Sequence, residues 1–172
     1  MSRPLSTGLV VPAESAAGLL APWHGRLPAA GRALPPHVTA LWPFLPVDAC
    51  DAGAERRLEA LLAGVPAFSF ALTRVVELAD AAVLLAEPAA AFQALTRLLW
   101  DEWPECPPYG GAFDEVAPHV TVAVDPPGSE RAAIEATLAP RLPLVCRASE
   151  VLLLEETPAG PLHARRRFTL GG

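Results

Sequence analysis

The chain has 172 residues, 52% of them hydrophobic, which is enough apolar material for a folded domain with a substantial core. Its formal net charge is -6 at pH 7. This charge argues against a protein built to bind long nucleic acids through a basic surface. A small phosphorylated ligand held by local groups, or an RNA end, is still compatible with this charge.

The cysteines Cys50, Cys106 and Cys146 lie far apart and in no CxxC spacing. Their odd number and their spacing argue against a disulfide framework or a zinc site, and predict reduced thiols in a cytoplasmic protein. The sequence shows no signal-peptide pattern and no apolar run of about 18 residues, so we expect neither secretion nor membrane insertion. We expect a monomer.

Strand-like and helix-like segments alternate along the first half of the chain. In order we predict a strand at 7–13, a helical segment at 14–26 capped by Ser15, a loop at 27–36, a strand at 37–44 and an amphipathic helix at 51–64. Asp51 is expected to cap this last helix, and Gly64 to end it. Its apolar face is formed by Leu58, Leu61 and Leu62.

The second half repeats the alternation. We predict strands at 68–80 and 81–88, a helix at 89–103, a loop at 104–118, a strand at 119–124, a helix at 129–142 capped by Ser129, and a final hairpin with strands at 144–156 and 163–172. In each half, a strand that opens with His-Val-Thr precedes an amphipathic helix and further strands. The chain is therefore expected to be one α+β domain, 1–172, with two antiparallel β-sheets and helices packed outside them.

The two His-Val-Thr sequences, at 37–39 and 119–121, each follow a proline and each open an apolar strand. Side chains at i and i+2 of a strand point to the same face, so each histidine points with its threonine. If a pseudo-two-fold axis relates the halves, both pairs face one central groove.

Two imidazoles and two hydroxyls in one groove suit phosphoryl transfer at a phosphodiester. One imidazole can accept a proton from the attacking hydroxyl while the other protonates the leaving oxygen, because the ordinary histidine pKa of about 6.5 lies near working pH. The hydroxyls can hold the non-bridging phosphate oxygens in line. This predicts His37 and His119 as catalytic residues, Thr39 and Thr121 as substrate-binding residues, and no metal or other cofactor.

These sequences resemble the signature of the 2H phosphoesterases, also called the 2′-5′ RNA ligase family, which is a pair of H-x-[ST]-x motifs. Here the motifs read HVTA at 37–40 and HVTV at 119–122, and their surroundings, PPHVTALWPF and PPYGGAFDEVAPHVTVAV, resemble the bacterial branch. The resemblance implies a bilobal, pseudo-symmetric fold with two antiparallel sheets around a central cleft. It also implies paired-histidine, metal-independent action on a 2′,3′-cyclic phosphate of RNA or a nucleotide, or on 2′-5′ linkages.

Aromatic residues near the motifs are further candidates. Tyr109 lies in a glycine-containing loop before the second motif, where it could stack on a base, close over the cleft or pack within its loop, and we include it among the substrate-binding residues. Trp42 points away from His37 by strand alternation and is expected in the core. Phe113 is expected in the core, with a second stacking ring as the alternative.

His163, Arg165 and Arg167 share one face of the last predicted strand, which either lines a groove for an RNA chain or is a solvated face. The charged residues expected to have no role in the site are His24, Asp101, Glu102 and Glu105. No glycine-rich phosphate loop of the ATP or NAD type is present.

The main interpretation is an enzyme, a cyclic phosphodiesterase that could also join 2′-5′ RNA linkages. Two alternatives stay open: a protein that binds a nucleotide without turnover, and an enzyme of the same fold with another substrate in specialised metabolism. The intact histidine pair favours an enzyme, because binding alone needs no proton transfer. The sequence leaves open which histidine is the acid and which is the base.

Overall fold

The structure is a computed structural model that describes residues 3–113, 115–158 and 160–171. Its strands are β1 (Thr7–Pro12), β2 (His37–Leu41), β3 (Phe68–Leu78), β4 (Ala81–Glu87), β5 (His119–Val124), β6 (Leu144–Ala148), β7 (Glu150–Thr157) and β8 (Gly160–Thr169). Its α-helices are α1 (Ala17–Leu20), α2 (Ala52–Ala63), α3 (Ala89–Glu102) and α4 (Gly128–Leu138). No helix in this described part of the chain is long and apolar enough to cross a membrane.

The strands pair antiparallel in the order β6-β3-β4-β5-β2-β1-β7-β8. The α+β class is confirmed, and the two expected sheets are the two four-stranded halves of this order. They meet at the single residue pair Val38 and Val120, where β2 hydrogen bonds β5. The two motif strands therefore lie side by side at the centre of the molecule.

The sheet is curled, because Ser149 alone connects β6 at one edge to β7 near the other. One residue advances the chain by only about 3.8 Å, so the two ends of the sheet must approach each other there. The final segment accordingly holds three strands instead of the two we predicted. β7 and β8 form the hairpin, whereas β6 pairs with β3.

The core lies on the face of the sheet that the helices cover, here called the helix face. Leu58 and Leu62 of α2 are fully buried, as are Leu95 and Leu99 of α3. Val38, at the centre of the sheet, belongs to the same apolar cluster. Because strand side chains alternate, the neighbours of Val38 and Val120 point to the opposite face.

Helix boundaries follow capping chemistry where a cap is present. The carboxylate of Asp51 accepts a hydrogen bond from the Ala54 amide at 2.9 Å, and α2 ends at Gly64, as predicted. Ser129 does not cap α4, which begins one residue earlier at Gly128 and has no side-chain cap. Pro127 is the N-cap residue of α4 and has no N–H group, so one backbone donor fewer needs a hydrogen-bond partner at this helix end. The position of Ser129 alone was therefore a weak indication of a cap.

The predicted helical segment at 14–26 is broken into three short pieces. A 3₁₀ helix at Glu14–Ala16 precedes α1, and a second at Ala21–Arg26 follows it. Ser15 lies inside the first piece and makes no cap hydrogen bond. Pro22 lacks the N–H group that a continuous α-helix requires, which accounts for the break after α1.

Candidate active site

The motif side chains share one face of the central strands, here called the motif face and defined by His37, Thr39, His119 and Thr121. Val38 and Val120 are buried on the opposite, helix face. The antiparallel pairing of these two valines places each motif histidine across from the threonine of the other motif. The two pairs that the sequence predicted are thus brought together on one surface.

The spacing of the four side chains suits a phosphodiester. Directly opposed residues of an antiparallel pair lie about 5 Å apart, and diagonal neighbours about 7–8 Å apart. His37 and His119 are such a diagonal pair across the junction of Val38 with Val120. That separation leaves room for one phosphate group between the two rings, with a threonine hydroxyl on either side.

Both imidazole rings are held in the same way. Nδ1 of His37 donates to the main-chain carbonyl of Pro35 at 2.9 Å, and Nδ1 of His119 donates to that of Ala117 at 2.8 Å. A carbonyl oxygen can only accept, so Nδ1 carries the proton in each ring. Nε2 is thereby left to accept or donate a proton at the motif face.

The two histidines differ in their surroundings. Burial lowers the pKa of His37 below its ordinary value, the hydrogen bond to Pro35 opposes this, and the nearby charge of His119 lowers it further. His37 is therefore favoured in its neutral form, which is the form that can accept a proton.

A cavity of about 520 Å³ opens beside the motif face. It lies where β2 and β5 separate beyond their single pairing, and its rim includes Thr39 and His119. One wall comes from α3, and the other comes from the loop before β5. Its remaining lining residues include Phe92, Gln93, Thr96, Arg97, Trp100, Tyr109, Phe113 and Glu115.

Tyr109 lies in this cavity next to the first motif. Its amide donates to the carbonyl of Trp42 at 2.6 Å, which fixes the loop to the end of β2. Burial raises the pKa of the Tyr109 phenol, and a hydrogen bond with the Thr39 hydroxyl opposes that shift. The backbone of Tyr109 is left-handed, with φ of 52°, and Gly110 and Gly111 continue that conformation. A non-glycine residue held there costs about 1–3 kcal/mol, so the surrounding contacts determine this ring position.

The residues of α3 that line the cavity were not predicted from the sequence. Gln93, Thr96, Arg97 and Trp100 follow the spacing i, i+3, i+4 and i+7, which is the signature of one helix face. This face lies beside the apolar stripe that packs into the core. The signal was a tryptophan on the polar side of an amphipathic helix, and Trp100 is 37% exposed.

The aromatic predictions had mixed outcomes. Phe113 is 62% exposed, so its expected core position is wrong, and its ring packs edge-on against Tyr109 at 5.8 Å. Phe44 is buried against Trp103. Trp42 is only half-buried and lies against Gly8, where an added Cβ would come within 2.0 Å of its ring.

The predicted arginine face of the last strand does not form. A register shift between Leu153 and Leu154 leaves Arg165 as an extra, bulged residue, so the residues before and after it no longer follow one continuous alternation. Arg165 and Arg166 both bind Glu55 of α2, at 2.8 and 2.9 Å. The predicted alternation overlooked this bulge.

The remaining charged residues lie outside the cavity or have local partners. His24 hydrogen bonds the Arg32 carbonyl at 2.6 Å, as expected for a satisfied surface histidine. Asp101 and Glu102 pair with Arg97 and Arg57. Within residues 3–113, 115–158 and 160–171, no group of three His, Cys, Asp or Glu side chains is placed to hold a metal ion.

Comparisons with known proteins identify the family. Solved structures with the same fold include a phosphoesterase (TM-score 0.60, 18% identity, 99% of this chain and 100% of that chain). They also include E. coli LigT complexed with 3'-AMP (TM-score 0.58, 17% identity, 99% and 100%) and TT0787 of Thermus thermophilus (TM-score 0.60, 18% identity, 97% and 98%). A search of the curated proteins finds no significant match. The family model of the 2'-5' RNA ligase superfamily matches residues 11–159, and the chain therefore belongs to that superfamily.

Proposed function

We propose that this protein is a metal-independent phosphodiesterase that opens a 2′,3′-cyclic phosphate of a nucleotide or an RNA end. The observation that carries the proposal is the matched orientation of two imidazoles on one sheet face. Each ring is fixed through Nδ1, which leaves its Nε2 available for proton transfer. Paired proton acceptors and donors of this kind are what in-line phosphoryl transfer requires.

His37 acts as the general base in this mechanism, because its burial favours the neutral ring. Water attacks the phosphorus opposite the leaving ribose oxygen, and Nε2 of His37 accepts a proton as the new P–O bond forms. Nε2 of His119 gives its proton to the ribose oxygen as the ring P–O bond breaks. The product is a phosphomonoester beside a free hydroxyl, and the two histidines have exchanged protonation states.

Ligation uses the same geometry with another nucleophile. If a 5′-hydroxyl replaces water and the 3′ oxygen leaves, the product is a 2′-5′ linkage. Thr39 and Thr121 hold the non-bridging phosphate oxygens during either reaction, and Tyr109 supports Thr39 through its phenol. The protein is expected to work as a single domain and as a monomer, since both motifs come from one chain.

The fold neighbours support a nucleotide as the ligand class. Structures of E. coli LigT hold 3'-AMP, ATP, NADP+ and phosphate. In this proposal the motif face holds the phosphate, and the cavity next to it holds the nucleoside. The net charge of -6 favours a small substrate over a long RNA.

The experiment is a turnover screen with the four 2′,3′-cyclic nucleotides and short RNAs that end in a cyclic phosphate, with each product identified. We expect ring opening to a single phosphomonoester. Binding of nucleotides without any turnover of these substrates would instead make the protein a nucleotide-binding member of the superfamily.

A further inference from the structure

We infer that the cavity between α3 and the loop before β5 is a base-binding subsite that selects nucleosides whose base carries an amino group. This inference rests on the proposed function for the position of the phosphate. It adds the identity of the group attached to that phosphate. The cavity volume of about 520 Å³ lies within the roughly 300–1,000 Å³ usual for small-ligand sites.

The aromatic side chains at the cavity favour a flat ligand. Trp100 and Phe113 line it and are 37% and 62% exposed, although rings of this size are normally buried. Tyr109 packs edge-on against Phe113 and places a third ring at the same site. Rings left open to water around a concave site are suited to stacking on a nucleobase.

The two halves of the molecule differ at this point. The loop at 27–36, which precedes the first motif, inserts Leu34 into a buried cluster with Val10, Leu152 and Leu154. The loop before the second motif instead leaves Phe113 exposed. The cavity is lined by His119 and not by His37, so it lies on the His119 side of the phosphate position and a bound nucleotide has one orientation relative to the two histidines.

The polar rim of the cavity determines which base fits. The side-chain amide of Gln93 donates to Oε1 of Glu115, and this bond joins α3 to the opposite loop. A carboxylate only accepts, so the bond fixes the amide orientation and leaves Oε2 of Glu115 and Oε1 of Gln93 as acceptors. Amino groups of adenine, guanine or cytosine can donate to them. Uracil lacks an amino group, and its N3–H donor is flanked on both sides by carbonyl oxygens that a carboxylate repels.

Calorimetric titration with 3′-AMP, 3′-UMP and inorganic phosphate tests the inference without any need for turnover. We expect 3′-AMP to bind more tightly than 3′-UMP by roughly ten- to 150-fold, as for one hydrogen bond to a charged group. Trp100→Ala and Phe113→Ala should each weaken 3′-AMP binding about tenfold and leave phosphate binding unchanged. Glu115→Gln should reduce the preference for 3′-AMP over 3′-UMP. Val145→Ala is the matched control, because Val145 is 67% exposed and lies on edge strand β6, outside the cavity lining.

The outcomes separate this inference from the proposed function. Equal affinity for 3′-AMP, 3′-UMP and phosphate overturns the subsite even if cyclic phosphates are hydrolysed. Equal loss of phosphate and 3′-AMP binding in the Phe113 variant overturns it as well, because Phe113 would then act on the whole site. Ring-dependent binding that Trp100→Ala weakens, without turnover of any cyclic phosphate, supports the subsite and overturns the enzyme.

Discussion

His37 and His119 make the same internal hydrogen bond, from Nδ1 to the carbonyl two residues earlier, at 2.9 and 2.8 Å. In both motifs the residue after that carbonyl is a proline, Pro36 or Pro118. A proline restricts the residue before it to extended backbone, so the two strands enter the sheet in a similar conformation. The equal ring orientation thus follows from sequence features that the two motifs share.

The first prediction concerns the two histidines. His37→Ala and His119→Ala should each lower kcat about 10²- to 10⁴-fold, because each removes a general acid or base. The double variant should be little worse than either single variant, since the two rings act as a unit. Steady-state kinetics with a 2′,3′-cyclic nucleotide measures this. His163→Ala, at an exposed histidine on β8, is the control and should keep full activity.

The second prediction separates the two threonines. Thr121→Val should lower kcat/KM modestly, because it removes one hydroxyl and keeps the β-branched shape. Thr39→Val should cost more, because it also removes the partner of the Tyr109 phenol. Tyr109→Phe is the matched variant that deletes only that hydroxyl. Equal effects at Thr39 and Thr121 would show that the Tyr109 contact has no part in catalysis.

The third prediction is that activity survives chelation. The proposed steps use imidazoles to activate water, whereas metal enzymes use a bound cation. Dialysis against EDTA should leave kcat unchanged. Loss of activity that zinc, manganese or magnesium restores would assign the activation of water to a metal ion.

The fourth prediction concerns stability in acid. The pKa of His37 is lowered by folding, so the unfolded chain binds a proton more readily below the ordinary value of about 6.5. The free energy of unfolding should therefore fall as pH drops from about 6.5 towards the folded pKa of His37. His37→Gln should lose less stability than wild type between pH 7 and 5 in urea titrations. An equal loss in both proteins would mean that His37 is not held neutral by the fold.

Strand periodicity and the cap at Asp51 could be predicted from the sequence. The motif residues were assigned to one face because strand side chains alternate, and the burial of Val38 and Val120 agrees with that assignment. The cap at Asp51 depends on its own turn and was also predictable. Both features depend on residues only a few positions apart.

Features that depend on distant contacts could not be predicted. The joining of the two sheets rests on one pair, Val38 with Val120, which are far apart in sequence. The position of Arg165 depends on a bulge opposite β7, and no pattern within its own strand reveals it. Phenylalanine is usually a core residue, and only the open cavity beside α3 explains the exposure of Phe113.

The pH dependence of kcat/KM for a 2′,3′-cyclic nucleotide, in wild type and in His37→Ala, tests the paired-imidazole mechanism most directly. We expect a bell-shaped profile, because one ring must be neutral and the other protonated. The acid limb should lie below the ordinary histidine value of about 6.5, since burial lowers the pKa of His37, and it should be absent from the residual activity of His37→Ala. A rate that rises steadily towards about pH 10, or an acid limb that remains in His37→Ala, would contradict His37 as the general base.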